Sequence, residues 1–327
     1  MSPSIFFRLF THLQMLPILE SGEETLVGGQ AVMEGVMMRA PHSYCVAVRK
    51  PGGEVVTEDM PLARMSEQYP IFKLPVFRGV GTIGQALKLG GRALRFSANA
   101  ALDDPSLTAR NAPKEVPGWA MALPIIFSLA FFIFMYKFVP LFAVTRLETF
   151  YPVLQGRVAF NLADGVIRLL ILLALLYTLS LLKDIRRIFE YHGAEHRVVF
   201  NFESGQPVTV ENAQRFTTFH PRCGTSFLFV VFVLSIPFYT LIPFDSFLLK
   251  LLCRVALIPL VVGLSYEIIR FAAKRRGSAL AWVTAPGLWM QRITTKPPAG
   301  DQTEVAIRAL DGAMALEESQ GGQLVIA

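Results

Sequence analysis

The feature that most narrows what this chain can fold into is a set of long, almost uncharged apolar runs in its C-terminal two thirds. WAMALPIIFSLAFFIFMYKFVPLFAV (119–144) holds a single charge, Lys137. At 1.5 Å per helical residue it is long enough to cross a hydrocarbon core of about 30 Å. GVIRLLILLALLYTLSLL (165–182) carries only Arg168, near its start, and TSFLFVVFVLSIPFYTLIPF (225–244) carries no charge. Asp245 and Ser246 then interrupt before a fourth run, FLLKLLCRVALIPLVVGLSYEIIRF (247–271). Lys250 and Arg254 lie near one end of it and are expected to snorkel to that surface. With 53% hydrophobic and 17% charged residues, the chain lacks the roughly 25% charge of an average soluble domain. Disorder, collagen-like repeats and coiled coils are excluded. Three cysteines (Cys45, Cys223 and Cys253) exclude a disulfide scaffold and suggest a reducing compartment or a metal ligand. The expected fold is a mainly α-helical polytopic membrane protein with about four transmembrane helices and a small cytoplasmic α+β N-terminal portion.

Loop charge sets the expected orientation. Twelve Lys/Arg precede Trp119, six lie in 183–224 and seven follow residue 267, whereas the stretch between the first two runs offers only Arg146 and Arg157. Both termini and the 183–224 loop are therefore expected on the cytoplasmic side of the inner membrane, with the lipid bilayer as the first partner. Residues 1–25 read as an amphipathic segment rather than a signal peptide, because Arg8 and His12 break the apolar core. In the 26–118 portion, YCVAVRK (44–50) and EVVTED (54–59) flank Pro51-Gly52-Gly53 and predict a β-hairpin. GGQAVMEGVMMRAP (28–41) surrounds one acid–base pair, Glu34 and Arg39. FRGVGTIGQALKLGGRALRF (77–96) predicts a basic amphipathic helix, either lying on the membrane or packing with its charged stripe solvated. The membrane domain covers 119–271 and a cytoplasmic segment 272–327. In that segment PGLWMQRITTKPP (286–298) reads as interfacial, and DQTEVAIRALDGAMALEE (301–318) as a short terminal helix with a capping box.

Chemistry concentrates in the 183–224 loop. Three of the five histidines lie there, and EYHGAEHRVVF presents His192, Glu195 and His196 as H-x-x-E-H. On a helix the two imidazoles, four apart, share one face and can chelate a metal, with Glu195 about a third of a turn away as a general base. Gly193 would let another backbone approach closely. FHPRCGTSF returns His220 and Cys223 two residues apart, in a tight turn suited to presenting both side chains to one ion. Four donors, His192, His196, His220 and Cys223, would close a tetrahedron around a structural Zn²⁺ or other divalent transition metal. If one stands back, a water position opens and the site becomes that of a hydrolase. Arg222 borders the site and would orient substrate. Glu190, Glu203 and Glu267 are further carboxylate candidates.

The strings GGQAVMEGVMMRAP, EYHGAEHRVVF, FHPRCGTSF, SYEIIRFA and APGLWMQRITTKPP together resemble the bacterial family of uncharacterised membrane proteins typified by YqhQ, over roughly residues 26–312. That resemblance implies a metal-dependent enzyme without an established substrate, with metal positions at His192, Glu195, His196, His220 and Cys223. It also implies a role for the Glu34–Arg39 stretch. Two functions are expected to compete: a metal-dependent hydrolase, and a membrane assembly or scaffold protein whose metal is structural. A transporter is the weaker third, since acids are almost absent from the span centres. Homo-oligomers or other membrane proteins are the expected partners. No phosphate loop or G-x-S-x-G occurs, and no specific nucleic-acid binding is expected.

Overall fold

The structure is a computed structural model and describes residues 27–63, 65–102, 118–221, 223–274 and 281–319. The amphipathic 1–25 segment, His12 and the tail beyond Ser319 lie outside the described residues. Four strands open the described chain: β1 (Gly28–Val32), β2 (Gly35–Arg39), β3 (Ser43–Arg49) and β4 (Val55–Pro61). They form one antiparallel sheet in the order β1-β2-β3-β4. The β3–β4 hairpin turns at Lys50–Glu54, where Gly53 takes φ +91°, as Pro-Gly-Gly predicts. The Gly/Met-rich stretch 28–41 is itself a second hairpin, pairing Val32 with Gly35 through Met33-Glu34. Its alternation is hidden because β2 is buried on both faces.

Helices cover the two faces of the sheet. On one face Val36, Met38, Cys45 and Ala47 pack against α5 (Lys183–Glu203) and the long α11 (Gly300–Ser319). On the other, Val32, Met37, Tyr44, Val46 and Val48 pack against Leu89, Ala93 and Ala100 of α1 (Phe77–Leu102). The basic helix is therefore a packing helix. Its inward stripe is made of small and medium side chains, while Leu87 and Leu94 face outward. The expected short terminal helix α11 is instead central to the sheet's core. Its N-terminus is also closed differently from the expected box, with the Gln302 side chain accepting from the Ala299 N–H at 2.9 Å.

The short polar α6 (Val210–Gln214) follows α5, and the apolar runs and the stretch after them form most of the remaining elements. These are α2 (Gly118–Ile133), a π-helical turn (Phe134–Phe138), α3 (Val139–Leu147), α4 (Arg157–Ser180), α7 (Gly224–Thr240), α8 (Phe247–Ala256), α9 (Ile258–Lys274) and α10 (Ala281–Thr294). Two helices, Ile126–Leu147 and Arg157–Ser180, are long and apolar enough to cross a membrane, and α8–α9 makes a third if its 45° bend belongs to one span. The third run, expected as a span, is a 17-residue apolar helix shorter than that, and the fourth is a bent pair rather than one continuous helix. Phe127, Leu170 and Val233 are half or more exposed, the surface texture expected of helices solvated by lipid. The stretch 286–298, expected at an interface, belongs mostly to α10, which packs on α7 with Met290 and Gln291 fully buried.

Two expectations about charge are corrected here. Arg254 does not snorkel: it is 2% exposed and donates to Asp164 and Asn161. Asp164, one residue before the second run, places a carboxylate inside the apolar helices, where acids were expected to be nearly absent.

Candidate metal centre

The H-x-x-E-H string folds as helix, within α5, and His192 and His196 share a face with ring centroids 4.5 Å apart. The tight turn before α7 closes with Cys223 N–H donating to the His220 carbonyl at 3.3 Å, and Cys223 is the N-cap of α7. The α5 helix and the α7 N-terminus thus bring His192, His196 and Cys223 together, with one donor atom from each lying within 4.8 Å of the others. His192 Nε2 is 3.3 Å from Cys223 Sγ, and the Thr225 hydroxyl donates to that sulfur at 3.4 Å.

Backbone carbonyls set the direction of both imidazoles. His192 Nδ1 lies 2.8 Å from the Thr294 carbonyl, and His196 Nδ1 bonds the Thr218 carbonyl. A carbonyl only accepts, so Nδ1 carries the proton in each ring and Nε2 turns a lone pair inward, the arrangement that orients metal-ligating histidines. The Thr294 carbonyl reaches His192 because Gly193 lacks a side chain: a Cβ there would stand 2.0 Å from the Lys296 carbonyl oxygen. The same chain segment is tied to α5 by Lys296 N–H donating to the Phe189 carbonyl at 2.9 Å. Desolvation holds the His196 imidazole below its ordinary 6.5, against the opposing hydrogen bond with Cys223, so its neutral form is favoured at neutral pH.

The expected fourth donor lies beside the group without joining it: the His220 ring centroid is 5.6 Å from that of His196. His220 is clamped by Gln291, whose side-chain oxygen accepts the His220 N–H and whose amide donates to the His220 carbonyl, both at 2.7 Å. Its ring lies against Phe200 at 4.5 Å between centroids, with Nε2 3.7 Å from the Glu203 carboxylate. Glu203 is therefore a neighbour of His220 and no part of the His/His/Cys group. Glu195 is close: its Oε2 lies 3.4 Å from His196 Nε2, and its stem packs against β1, where a Cβ on Gly29 would meet Glu195 Cγ at 2.8 Å. Arg222 lies outside the described residues.

The remaining candidates separate. Glu34 and Arg39 are not a pair. Glu34, at φ +53° in the tip of the β1–β2 hairpin, takes a two-point grip from Arg187 and a bond from Tyr191 at 3.2 Å. Arg39 reaches Gln85 at 3.2 Å. Glu190 accepts from Gln302 at 3.0 Å, and Glu267 binds Arg78 and the Val76 N–H. His42 anchors Glu317 of α11. Gln291, Thr294 and Thr218 orient the site and were not singled out in the sequence, because a backbone carbonyl acting on a histidine leaves no signature of residue type.

A cavity of about 620 Å³ opens on the cluster. His192, Glu195, His196, His220 and Cys223 line it, as do Arg39, Lys73, Arg78 and Arg270, with Glu195 the only carboxylate among the described lining residues.

Comparison with known proteins places the chain without describing its chemistry. Residues 74–316 match the family model "Protein of unknown function (DUF1385)". The uncharacterized protein YqhQ of Bacillus subtilis (strain 168) is 35% identical over 297 residues, covering 89% of this chain and 92% of that protein. No solved structure matches. With the family model spanning most of the chain and so similar a relative, the protein belongs to the DUF1385, YqhQ-like family.

Proposed function

We propose that the protein is an integral membrane protein with a metal centre, held by His192, His196 and Cys223, that serves a hydrolytic reaction on its cytoplasmic face. The observation that carries this reading is a convergence of electron pairs. Two imidazoles have their protons committed to backbone carbonyls, so both Nε2 lone pairs meet a cysteine sulfur and the Glu195 carboxylate. One thiol proton can satisfy one of those nitrogens, not both, and a divalent cation satisfies all of them. Imidazole and thiolate donors suit Zn²⁺ or a neighbouring transition metal. Three protein donors bordering a cavity would leave room for water or substrate on a bound metal, as in a catalytic rather than a closed structural zinc site. A bound Zn²⁺ would supply Lewis acidity and activation of water.

The chain's own residues supply the rest. Glu195, buried beside His196, is positioned to accept a proton from the attacking water and return it to the leaving group. Arg39, Lys73 and Arg270 make the cavity a favourable place for an anionic substrate. The excess of Lys/Arg before Trp119 and in 183–224 supports a cytoplasmic position for the sheet and the cluster.

Elemental analysis of the detergent-purified full-length protein tests the proposal. Wild type is expected to carry about one transition ion per chain, His196→Ala to lose it, and Glu195→Gln to keep it. His220→Ala is also expected to keep it, because His220 faces Glu203. A well-folded wild type without metal would overturn the reading. Loss of metal in Glu195→Gln would make Glu195 a ligand and point to the structural role instead.

A further inference from the structure

Away from the His/Cys cluster, the apolar helices enclose a second group of charges. Asn161, Asp164 and Arg168 recur at helical spacing along one face of α4. Ser235 and Tyr239 do so on α7, Lys137 comes from the π-helical turn, and Arg254 from α8. All seven are 6% exposed or less. Arg254 donates to Asp164 Oδ1 at 2.6 Å and to Asn161 Oδ1 at 2.8 Å. Arg168 binds the other oxygen of Asp164 and the Ser235 hydroxyl, and Lys137 donates to the Tyr239 hydroxyl. Both guanidiniums and the ammonium lie about one ring from Tyr239, at 5.1, 4.8 and 5.0 Å from its centroid.

The charges do not balance. Three cations face one carboxylate among the described residues of the cluster, and uncompensated charge is costly inside apolar helices. Donors are also left over: the Nε–H groups of Arg168 and Arg254 are buried without a hydrogen-bond partner. One edge of the cluster is reachable. A cavity of about 380 Å³ is lined by Arg254, Asn161 and Tyr239 together with Arg157, Lys250 and the carboxylates Glu148 and Asp245, while Arg168 and Lys137 do not line it. Cavity and cluster together hold five basic side chains against three carboxylates. It lies at the opposite end of α7 from Cys223, about 24 Å away at 1.5 Å per residue.

We propose that this cavity is a binding site for a phosphate-type oxyanion, held at its wall by Arg254, with Arg168 and Lys137 adding positive charge from within the cluster and Asp164 fixing the two guanidiniums in place. Planar guanidinium forks match tetrahedral and carboxylate oxyanions better than they match spherical halides. An anion of one or two charges brings the cluster close to neutrality. The same chemistry is offered by free inorganic phosphate and by the phosphate of a lipid headgroup entering from the end of the helix bundle. The His/Cys cluster contributes nothing to this site.

The test uses full-length protein purified in detergent and stripped of lipid, titrated with ³²P-labelled inorganic phosphate in Tris chloride buffer, whose halide is the poorer match. A second arm reconstitutes it with phosphatidylglycerol or phosphatidylcholine and reads retained lipid by native mass spectrometry. The free-anion form predicts saturable uptake of about one phosphate per chain, weakened about tenfold or more by Arg254→Gln, the loss of one charged contact, and weakened severalfold by Lys137→Met, the loss of one nearby charge. The headgroup form predicts no phosphate uptake but about one retained phospholipid per chain, released by the same variants. Lys137→Met leaves both ion pairs of Asp164 intact, so it reports on the site even if Arg254→Gln fails to fold. Wild type that takes up neither ligand, or variants that take up either as wild type does, would overturn the proposal.

Discussion

Glu317 shows how a single residue ties the sheet to its covering helix. It is 1% exposed near the end of α11, yet it accepts from the His42 N–H at 2.8 Å and the Ser43 hydroxyl at 2.9 Å, with His42 Nδ1 at 3.0 Å. Burial pushes its carboxyl up, and these hydrogen bonds outweigh it and leave the group below its ordinary 4.5. The unfolded chain then takes up the proton first on acidification, so the contribution is fully present above about 4.5 and is lost as pH falls through the lower folded value. Thermal unfolding followed from pH 6 to pH 3.5 is expected to show wild type losing stability in that window. Glu317→Gln, already weaker at pH 6 by about 1–3 kcal/mol for the groups it leaves unpaired, is expected to show a flatter acid limb. An unchanged acid limb in the variant would remove Glu317 from the account. Nothing in the sequence around 317 distinguishes this carboxylate from its exposed neighbour Glu318, because its partners lie about 275 residues away.

Helix α5 carries both the donors and the evidence of how they are held. Helix propensity alone favours alanine over glycine by about 1 kcal/mol, so Gly193→Ala would stabilise an isolated α5. In the folded protein the added Cβ meets a backbone oxygen at 2.0 Å, and the 294–296 segment that supplies the Thr294 carbonyl has to move. Gly193→Ala is expected to cost about 1–3 kcal/mol, as overpacking does, and to lower metal content in the elemental assay. Gly84→Ala, in α1 with nothing within 4 Å of the added Cβ, is expected to gain about 0.5–1 kcal/mol. Equal effects at the two glycines would show that the close approach is not what Gly193 serves.

Periodicity and turn chemistry made several of these elements legible: the β3–β4 hairpin, the helix under H-x-x-E-H, and the turn before Cys223. Other elements were hidden by packing on two sides. The strands β1 and β2 show no alternation, and α11 reads only as a short terminal helix because alanines at 306, 309 and 313 contribute much of its buried stripe. The bend between α8 and α9 falls inside an unbroken apolar run, and the side His220 faces is decided by Gln291, which comes from a distant helix.

At the scale of the whole molecule, the two cavities lie at opposite ends of α7, separated by about 24 Å, most of the thickness of a hydrocarbon core. The sheet, α5 and the His/Cys cluster gather at one end, and Gln155, Arg157 and the second cavity at the other. If the apolar helices sit in a membrane, water must reach these ends from different sides, and the Lys/Arg-rich end should be cytoplasmic. Two exposed positions report on this: Gln155, beside the second cavity, and Arg308, on the outer face of α11. A membrane-impermeant maleimide applied to intact cells is expected to label Gln155→Cys above the background of the three native cysteines. Arg308→Cys should react only after the membrane is opened. The reverse pattern would invert the orientation and move the His/Cys cluster to the outer face, and labelling of both from one side would show that the helices between them do not cross the bilayer.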